Sequence, residues 1–219
     1  MGMTVVGSRE KPALAIDSFD ESYHSDYFSV RSLANEYLSA PLPIHKMAGS
    51  KKIVNSLACV LHVVLKRYGA ERQNAPTRKN IPDFEKTLMD ETVHSLLKFF
   101  WQNPLAILNS ENGSRISTAP LADMDCKLIK ILNLLADGLF TNNTNVTYPM
   151  KSLMLLTGYM PALDSQVKGG LHKANVSGVN STQFLLPNKY SVAKLEVLKI
   201  TRLPFILAGC YSQPCCKSI

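Results

Sequence analysis

The stretch SKKIVNSLACVLHVVLKRYG, residues 50–69, gives the clearest indication of the fold class. Its large apolar residues recur at steps of three and four, which is the spacing of one face of an α-helix. Ser50 is a suitable N-cap and Gly69 a suitable terminator. We therefore expect a helix from Ser50 to Tyr68 whose apolar face turns toward a core. That face consists of Ile53, Val54, Leu57, Leu61, Val64, Leu65 and Tyr68.

Similar helical periodicity recurs on both sides of this stretch, and runs of alternating apolar and polar residues are few. The patterns predict further helices over 29–39, 83–101, 122–140, 149–157, 164–172 and 191–208. We expect one globular, multi-helix, all-α domain. It should cover residues 29–209, between a flexible acidic arm at 1–28 and a tail at 210–219 that contains Cys210, Cys215 and Cys216.

Several classes of function have no support in the sequence. No apolar run reaches the ~18 residues that a membrane span needs, and no export signal is evident, so a cytoplasmic location is expected. The chain contains neither a zinc motif nor a phosphate-binding glycine loop, so no metal and no cofactor are expected.

Positive charge is concentrated in two blocks. The chain carries a net charge of +7, and residues 42–80 hold eight basic residues against one acid, Glu71. Residues 139–219 hold eight basic residues against two acids, Asp164 and Glu196. Blocks of this kind attract a polyanion or an acidic protein surface. The alternative is an ordinary solvated face.

The segment PMKSLMLLTGYMPALDSQVKGGLH, residues 149–172, combines an apolar helix, a break at Gly158 and Pro161, and an acid that begins a second helix. On the residues alone, Asp164 is a helix cap. The segment also resembles the second half of the helix-hairpin-helix DNA glycosylase fold. That resemblance implies an all-α protein that binds the DNA backbone and acts on an extruded base. It makes Asp164 the counterpart of the catalytic aspartate.

If a nucleic acid is the partner, the expected phosphate contacts come from both basic blocks. They are Lys51, Lys52, Lys66 and Arg67 in the first block, with Lys151, Lys168 and Lys173 around the break. Lys151 is expected to be a solvated lysine at a helix end and not a nucleophile. The isolated histidines His62 and His94 are expected to be structural.

Two functions follow from these observations. The first is a nucleic-acid-associated protein with a glycosylase-like core; in its enzymatic form, Asp164 would position water or stabilise a sugar cation. The second is a non-enzymatic helical module that docks an acidic protein partner. Salt dependence of binding separates them, because phosphate contacts weaken steeply as salt rises.

Overall fold

A computed structural model describes residues 21–41, 43–47, 49–103, 118–159, 162, 164 and 165. Over these residues the fold is all-α, which confirms the predicted fold class. The helices are α1 (Glu21–Ser39), α2 (Ser50–Arg67), α3 (Ile81–Met89), α4 (Glu91–Gln102), α5 (Thr118–Leu139) and α6 (Thr147–Thr157). A short 3-10 helix, Ile44–Lys46, precedes α2. Strands β1 (Thr77–Arg78) and β2 (Phe140–Thr141) pair antiparallel, with Thr77 opposite Thr141.

Helix α2 packs against α1, α3 and α6. Its buried side includes Val54, Leu57, Leu61 and Leu65, as the periodicity predicts. The expected N-cap is wrong by one residue. Gly49, with φ of +81°, takes the cap position, and Ser50 is the first helical residue and is buried.

Helix α1 begins at Glu21, so residues 21–28, which were assigned to the acidic arm, are helical. Tertiary contacts explain this correction. The guanidinium of Arg67 lies 2.5 Å from Oδ1 of Asp26, and this carboxylate is buried beside the end of α2. Val30 and Tyr37 are completely buried farther along the helix. The early turns of α1 are therefore held by an ion pair, which does not appear as apolar periodicity.

The single helix expected over 83–101 is two helices in the structure, α3 and α4, separated at Asp90. Asp90 has extended backbone angles, φ −67° and ψ 125°, and its carboxylate accepts the N–H of Val93 at 3.0 Å. This is N-cap geometry. Asn80 caps α3 in the same way by accepting the N–H of Asp83 at 2.9 Å. Because both short helices carry apolar faces, the periodicity alone concealed the break.

Helix α6 contacts α1, α2, α4 and α5, and eight of its eleven residues are buried. It starts at Thr147, slightly before the predicted 149, and ends at Thr157, with Gly158 as its C-cap at φ of +69°. Helix α5 lies against α3, α4 and α6. The helices expected over 164–172 and 191–208 lie outside the described residues, apart from Asp164 and Ser165. So do residues 1–20 of the arm and the tail at 210–219.

None of the helices in the described ranges has the length and apolar content that a membrane span requires.

Candidate functional site

Lys151 is buried inside the bundle, where the sequence led us to expect a solvated lysine. The residue is only 9% exposed. Its Nζ donates a 2.7 Å hydrogen bond to the carbonyl of Tyr68, directly after α2, and lies 3.5 Å from Oδ2 of Asp164. The expectation was wrong because α6 is covered by neighbouring helices on nearly every side. A charged lysine at such a position requires polar partners.

Tyr148 joins the same group of contacts. Its ring centroid lies 5.2 Å from Nζ of Lys151, and its hydroxyl donates a 2.6 Å hydrogen bond to the carbonyl of Gly69. Gly69 has φ of +97°, and a Cβ at this position would lie 3.2 Å from the Tyr148 hydroxyl and 3.6 Å from Cδ of Arg72. Glycine thus lets the loop after α2 approach α6 closely. We call Tyr68, Gly69, Arg72, Tyr148, Lys151 and Asp164 the α2–α6 junction.

Two cations and one carboxylate set the electrostatics of the α2–α6 junction. The pKa of Lys151 is lowered, chiefly by burial. The charge of Asp164 opposes this shift, and the charge of Arg72 adds to it. Burial raises the pKa of the Tyr148 hydroxyl, Arg72 opposes that rise, and Asp164 adds to it. Tyr148 therefore stays protonated at neutral pH and acts as a hydrogen-bond donor. The positive charges of Lys151 and Arg72 exceed the negative charge of Asp164 by one.

Asp164, the candidate catalytic residue, lies against Lys151 in this junction. Its side chain is 27% exposed, and its backbone N–H donates a 2.9 Å hydrogen bond to the carbonyl of Ala162. The structure thus brings together Asp164 and Lys151, two residues that the sequence analysis selected. Lys168 and Lys173, selected with them, lie outside the described residues.

The four basic residues selected on α2 form two separate groups. Lys51 and Lys52 lie at the start of the helix, and Lys66 and Arg67 at its end. The fifteen residues from Lys51 to Lys66 correspond to about 22 Å along the helix axis. All four residues are exposed. The end group is close to the α2–α6 junction, since Tyr68 directly follows Arg67.

Acidic neighbours compensate the end group only in part. Arg67 is paired with Asp26, and Nζ of Lys66 lies 3.9 Å from Oε2 of Glu71. Within the part of the chain that the structure describes, no carboxylate lies within ion-pair distance of Lys51 or Lys52. These two lysines therefore carry the least compensated charge on α2.

Helix α2 contains four basic residues and no acidic residue. Between the two groups of cations the helix itself has no charged residue, and Val63 is 49% exposed there. The exposed Asn55 in this stretch donates a hydrogen bond to the carboxylate of Glu85 on α3. We call this surface the outer face of α2; it consists of Lys51, Lys52, Ser56, Cys59, Val63, Lys66 and Arg67.

Arg78 was not predicted from the sequence as a functional residue, and its side chain is only 6% exposed. It lies 2.8 Å from Glu71 and 2.9 Å from Nδ1 of His62. Burial lowers the pKa of His62, and the charge of Arg78 lowers it further. His94 is fully buried, with Nε2 3.0 Å from the carbonyl of Tyr37. Both histidines thus lie in structural contacts.

Among the described residues, no group of three or more His, Cys, Asp or Glu side chains has the arrangement of a metal site. Comparisons of the chain with protein-family models, with curated proteins and with solved structures give no match.

Proposed function

We propose that this protein binds the phosphate backbone of nucleic acid through the outer face of α2. The observation that carries the proposal is the charge of that helix: four exposed cations, no acid, and two lysines that no described carboxylate neutralises. Lysine and arginine contacts to phosphate supply affinity and orientation without reading sequence. The resemblance of residues 149–172 to the glycosylase superfamily supports the same partner and a glycosylase-like helical core.

The spacing of the two cation groups suits an extended polyanion. Each strand of B-DNA carries one charge per about 3.4 Å of duplex axis, so the ~22 Å between the groups equals the axial rise of about six phosphates. The middle of the outer face offers Ser56, Cys59 and Val63, which carry no charge. Binding through this face is therefore expected to depend weakly on base sequence.

Base excision is not part of the proposal. The Asp164 carboxylate lies 3.5 Å from the Lys151 ammonium, which is itself hydrogen bonded to the carbonyl of Tyr68. A carboxylate in such an ion pair stabilises the fold. The interpretation of Asp164 as a helix cap likewise gives this residue a structural role.

Salt dependence tests the proposal. The affinity for a labelled duplex is measured by fluorescence anisotropy between 50 and 200 mM salt. Two to four neutralised phosphates give a slope of log affinity against log salt of about −2 to −4, because each contributes about −0.9. Lys51→Glu combined with Lys52→Glu should bring this slope closer to zero by about 2.

Lys86→Glu combined with Lys130→Glu is the control. It makes the same change in charge at two exposed lysines, on α3 and α5, that lie outside the outer face of α2. The slope should then keep its wild-type value. Absence of duplex binding at 50 mM salt refutes the proposal, and so does an equal change of slope in both double variants.

A second function is favoured by one further observation. Val63 exposes 49% of its surface between the two cation groups, and a phosphate backbone offers no apolar surface to pack against it. An acidic protein segment could pair with the lysines and also cover Val63. Poly-glutamate that bound as tightly as the duplex at the same salt concentration, and lost affinity in a Val63→Asp variant, would favour this second function.

A further inference from the structure

We propose that the N-terminus of α2 binds a phosphate group through the hydroxyl of Ser50 and the backbone N–H of Lys51. The ligand is either a free phosphate or the terminal phosphate of a nucleic-acid strand, and both present charged oxygens to the same donors. The second source rests on the proposed function, because it places the end of a strand on the outer face of α2. The first source does not depend on it.

The first turn of α2 has no side-chain cap. Its cap residue, Gly49, has no side chain that could accept an N–H, and the turn contains no acidic residue. The N–H of Ser50 is donated to the carbonyl of Met47 at 3.2 Å. That of Lys52 is donated to the carbonyl of Gly49 at 3.0 Å. None of the described carbonyls accepts the N–H of Lys51. A free N–H at the positive end of a helix is suited to a phosphate oxygen.

Ser50 supplies a second donor at the same end of the helix. The residue is only 4% exposed, yet its hydroxyl has no hydrogen-bond partner in the part of the chain that the structure describes. Buried hydroxyls normally have such a partner. Because helical side chains tilt toward the N-terminus, this hydroxyl is directed toward the cap. A Cβ on Gly49 would meet none of the described heavy atoms within 4 Å, so a phosphate oxygen has room there.

The charges around this end of α2 favour an anion. Lys51 and Lys52 lie in the first turn, where positive charge opposes the helix dipole. Lys46 ends the 3-10 helix that packs against α2, and its side chain is exposed. None of these three lysines forms an ion pair with a described carboxylate. Glu85 on α3 is bonded instead to Asn55, one turn farther along. A bound phosphate would offset the repulsion between the lysines and the dipole.

Ser50→Ala tests the inference because it removes the hydroxyl without changing the charge. The affinity for inorganic phosphate is measured by amide NMR titration at fixed ionic strength. In the wild type, phosphate should shift the amide resonance of Lys51 until the site is saturated. We expect about tenfold weaker binding in Ser50→Ala, since one hydrogen bond to a charged ligand is lost. Ser95→Ala, at an exposed serine on α4, is the control and should bind phosphate as the wild type does.

Equal phosphate affinities of the wild type and Ser50→Ala overturn the inference, and so does a titration that leaves the Lys51 amide resonance in place. A pair of lysine variants gives an independent answer, also if Ser50→Ala does not fold. Lys46→Gln should weaken phosphate binding about threefold, whereas Lys130→Gln, on α5, should leave it unchanged. Equal weakening in the two variants is a response to net charge and contradicts a site at α2.

The source of the phosphate is decided with oligonucleotides. A single strand with a 5′-phosphate is compared with the same strand ending in a 5′-hydroxyl. If a strand end occupies the site, the wild type should bind the phosphorylated strand more tightly, and Ser50→Ala should bind both strands equally. Equal binding of both strands by the wild type assigns the site to free phosphate. Absence of duplex binding refutes the proposed function and leaves the inorganic phosphate result standing. A wild-type salt slope together with unchanged phosphate affinity in Ser50→Ala refutes the inference alone.

Discussion

Replacing Lys151 by Met tests how the α2–α6 junction holds the fold together. The substitution keeps an unbranched apolar stem and removes the ammonium. It removes the 2.7 Å hydrogen bond to Tyr68 and the 3.5 Å ion pair with Asp164. Hydrogen bonds to charged groups contribute about 1.5–3 kcal/mol. Because Asp164 remains partly hydrated, we expect the variant to lose about 1.5–3 kcal/mol of unfolding free energy.

Asp164→Asn should destabilise for a different reason, because it leaves the buried Lys151 ammonium without a neutralising carboxylate. Each single substitution strands the opposite charge, so the double variant should lose less than the two single losses combined. We expect a coupling of about 1–2 kcal/mol, within the usual range for groups in contact. Urea denaturation at pH 7, followed by circular dichroism, measures all four proteins.

The ion pair between Asp123 and Lys127 is the matched control. Its side chains are 59% and 31% exposed, and the residues are four apart on α5. An exposed pair of this kind contributes about 0.3–0.5 kcal/mol. Losses at Lys151 and Asp164 that simply add, or a coupling no larger than that of the control, would show that the two buried side chains do not stabilise each other.

Three other predictions concern packing and pH. A Cβ on Gly138 would lie 2.4 Å from Oγ1 and 2.5 Å from Cγ2 of Thr87, so Gly138→Ala should lose about 1–3 kcal/mol of unfolding free energy, although alanine is the better helix former. Adding Thr87→Ala to this variant should restore part of the lost unfolding free energy, as measured by urea denaturation. No restoration would contradict a clash between a Cβ at position 138 and the Thr87 side chain. Gly158→Ala should lose about 1–2 kcal/mol of unfolding free energy, because Gly158 has φ of +69° and a Cβ there would lie 3.1 Å from the Tyr27 hydroxyl. An unchanged urea midpoint would contradict this prediction. Burial lowers the pKa of His94, so the unfolded chain binds more protons below pH ~6.5, and stability should fall between about pH 6.5 and 5. If His94 is responsible, the stability of His94→Gln should fall less steeply over this pH range than that of the wild type. Identical pH profiles of stability for the two proteins would contradict the prediction.

Apolar periodicity predicted the helices whose stability comes from one continuous buried face. It places α2 within one residue of its observed start and identifies α5 and α6. It missed the first turns of α1 because residues 21–26 are mostly polar. The ion pair between Asp26 and Arg67 is a contact across 41 residues. It also missed the break at Asp90, where one side-chain hydrogen bond interrupts an apolar pattern that continues through both helices.

The candidate site was predictable only in its separate parts. Lys151 and Asp164 were selected from the sequence, but the burial of Lys151 depends on four helices that surround α6. Tyr148 was not selected, because its hydrogen bond to Gly69 joins residues 79 positions apart. The separation of Lys51 from Lys66, in contrast, follows from the rise of an α-helix alone.

Lysine acetylation footprinting in the presence of duplex DNA at 50 mM salt shows whether the outer face of α2 contacts the duplex. We expect slower acetylation of Lys51, Lys52 and Lys66 when the duplex is bound. Lys130 on α5 should react at its unbound rate. Equal protection of Lys130, or no protection of the lysines on α2 at saturating duplex, would contradict the assignment of the outer face of α2 as the binding surface.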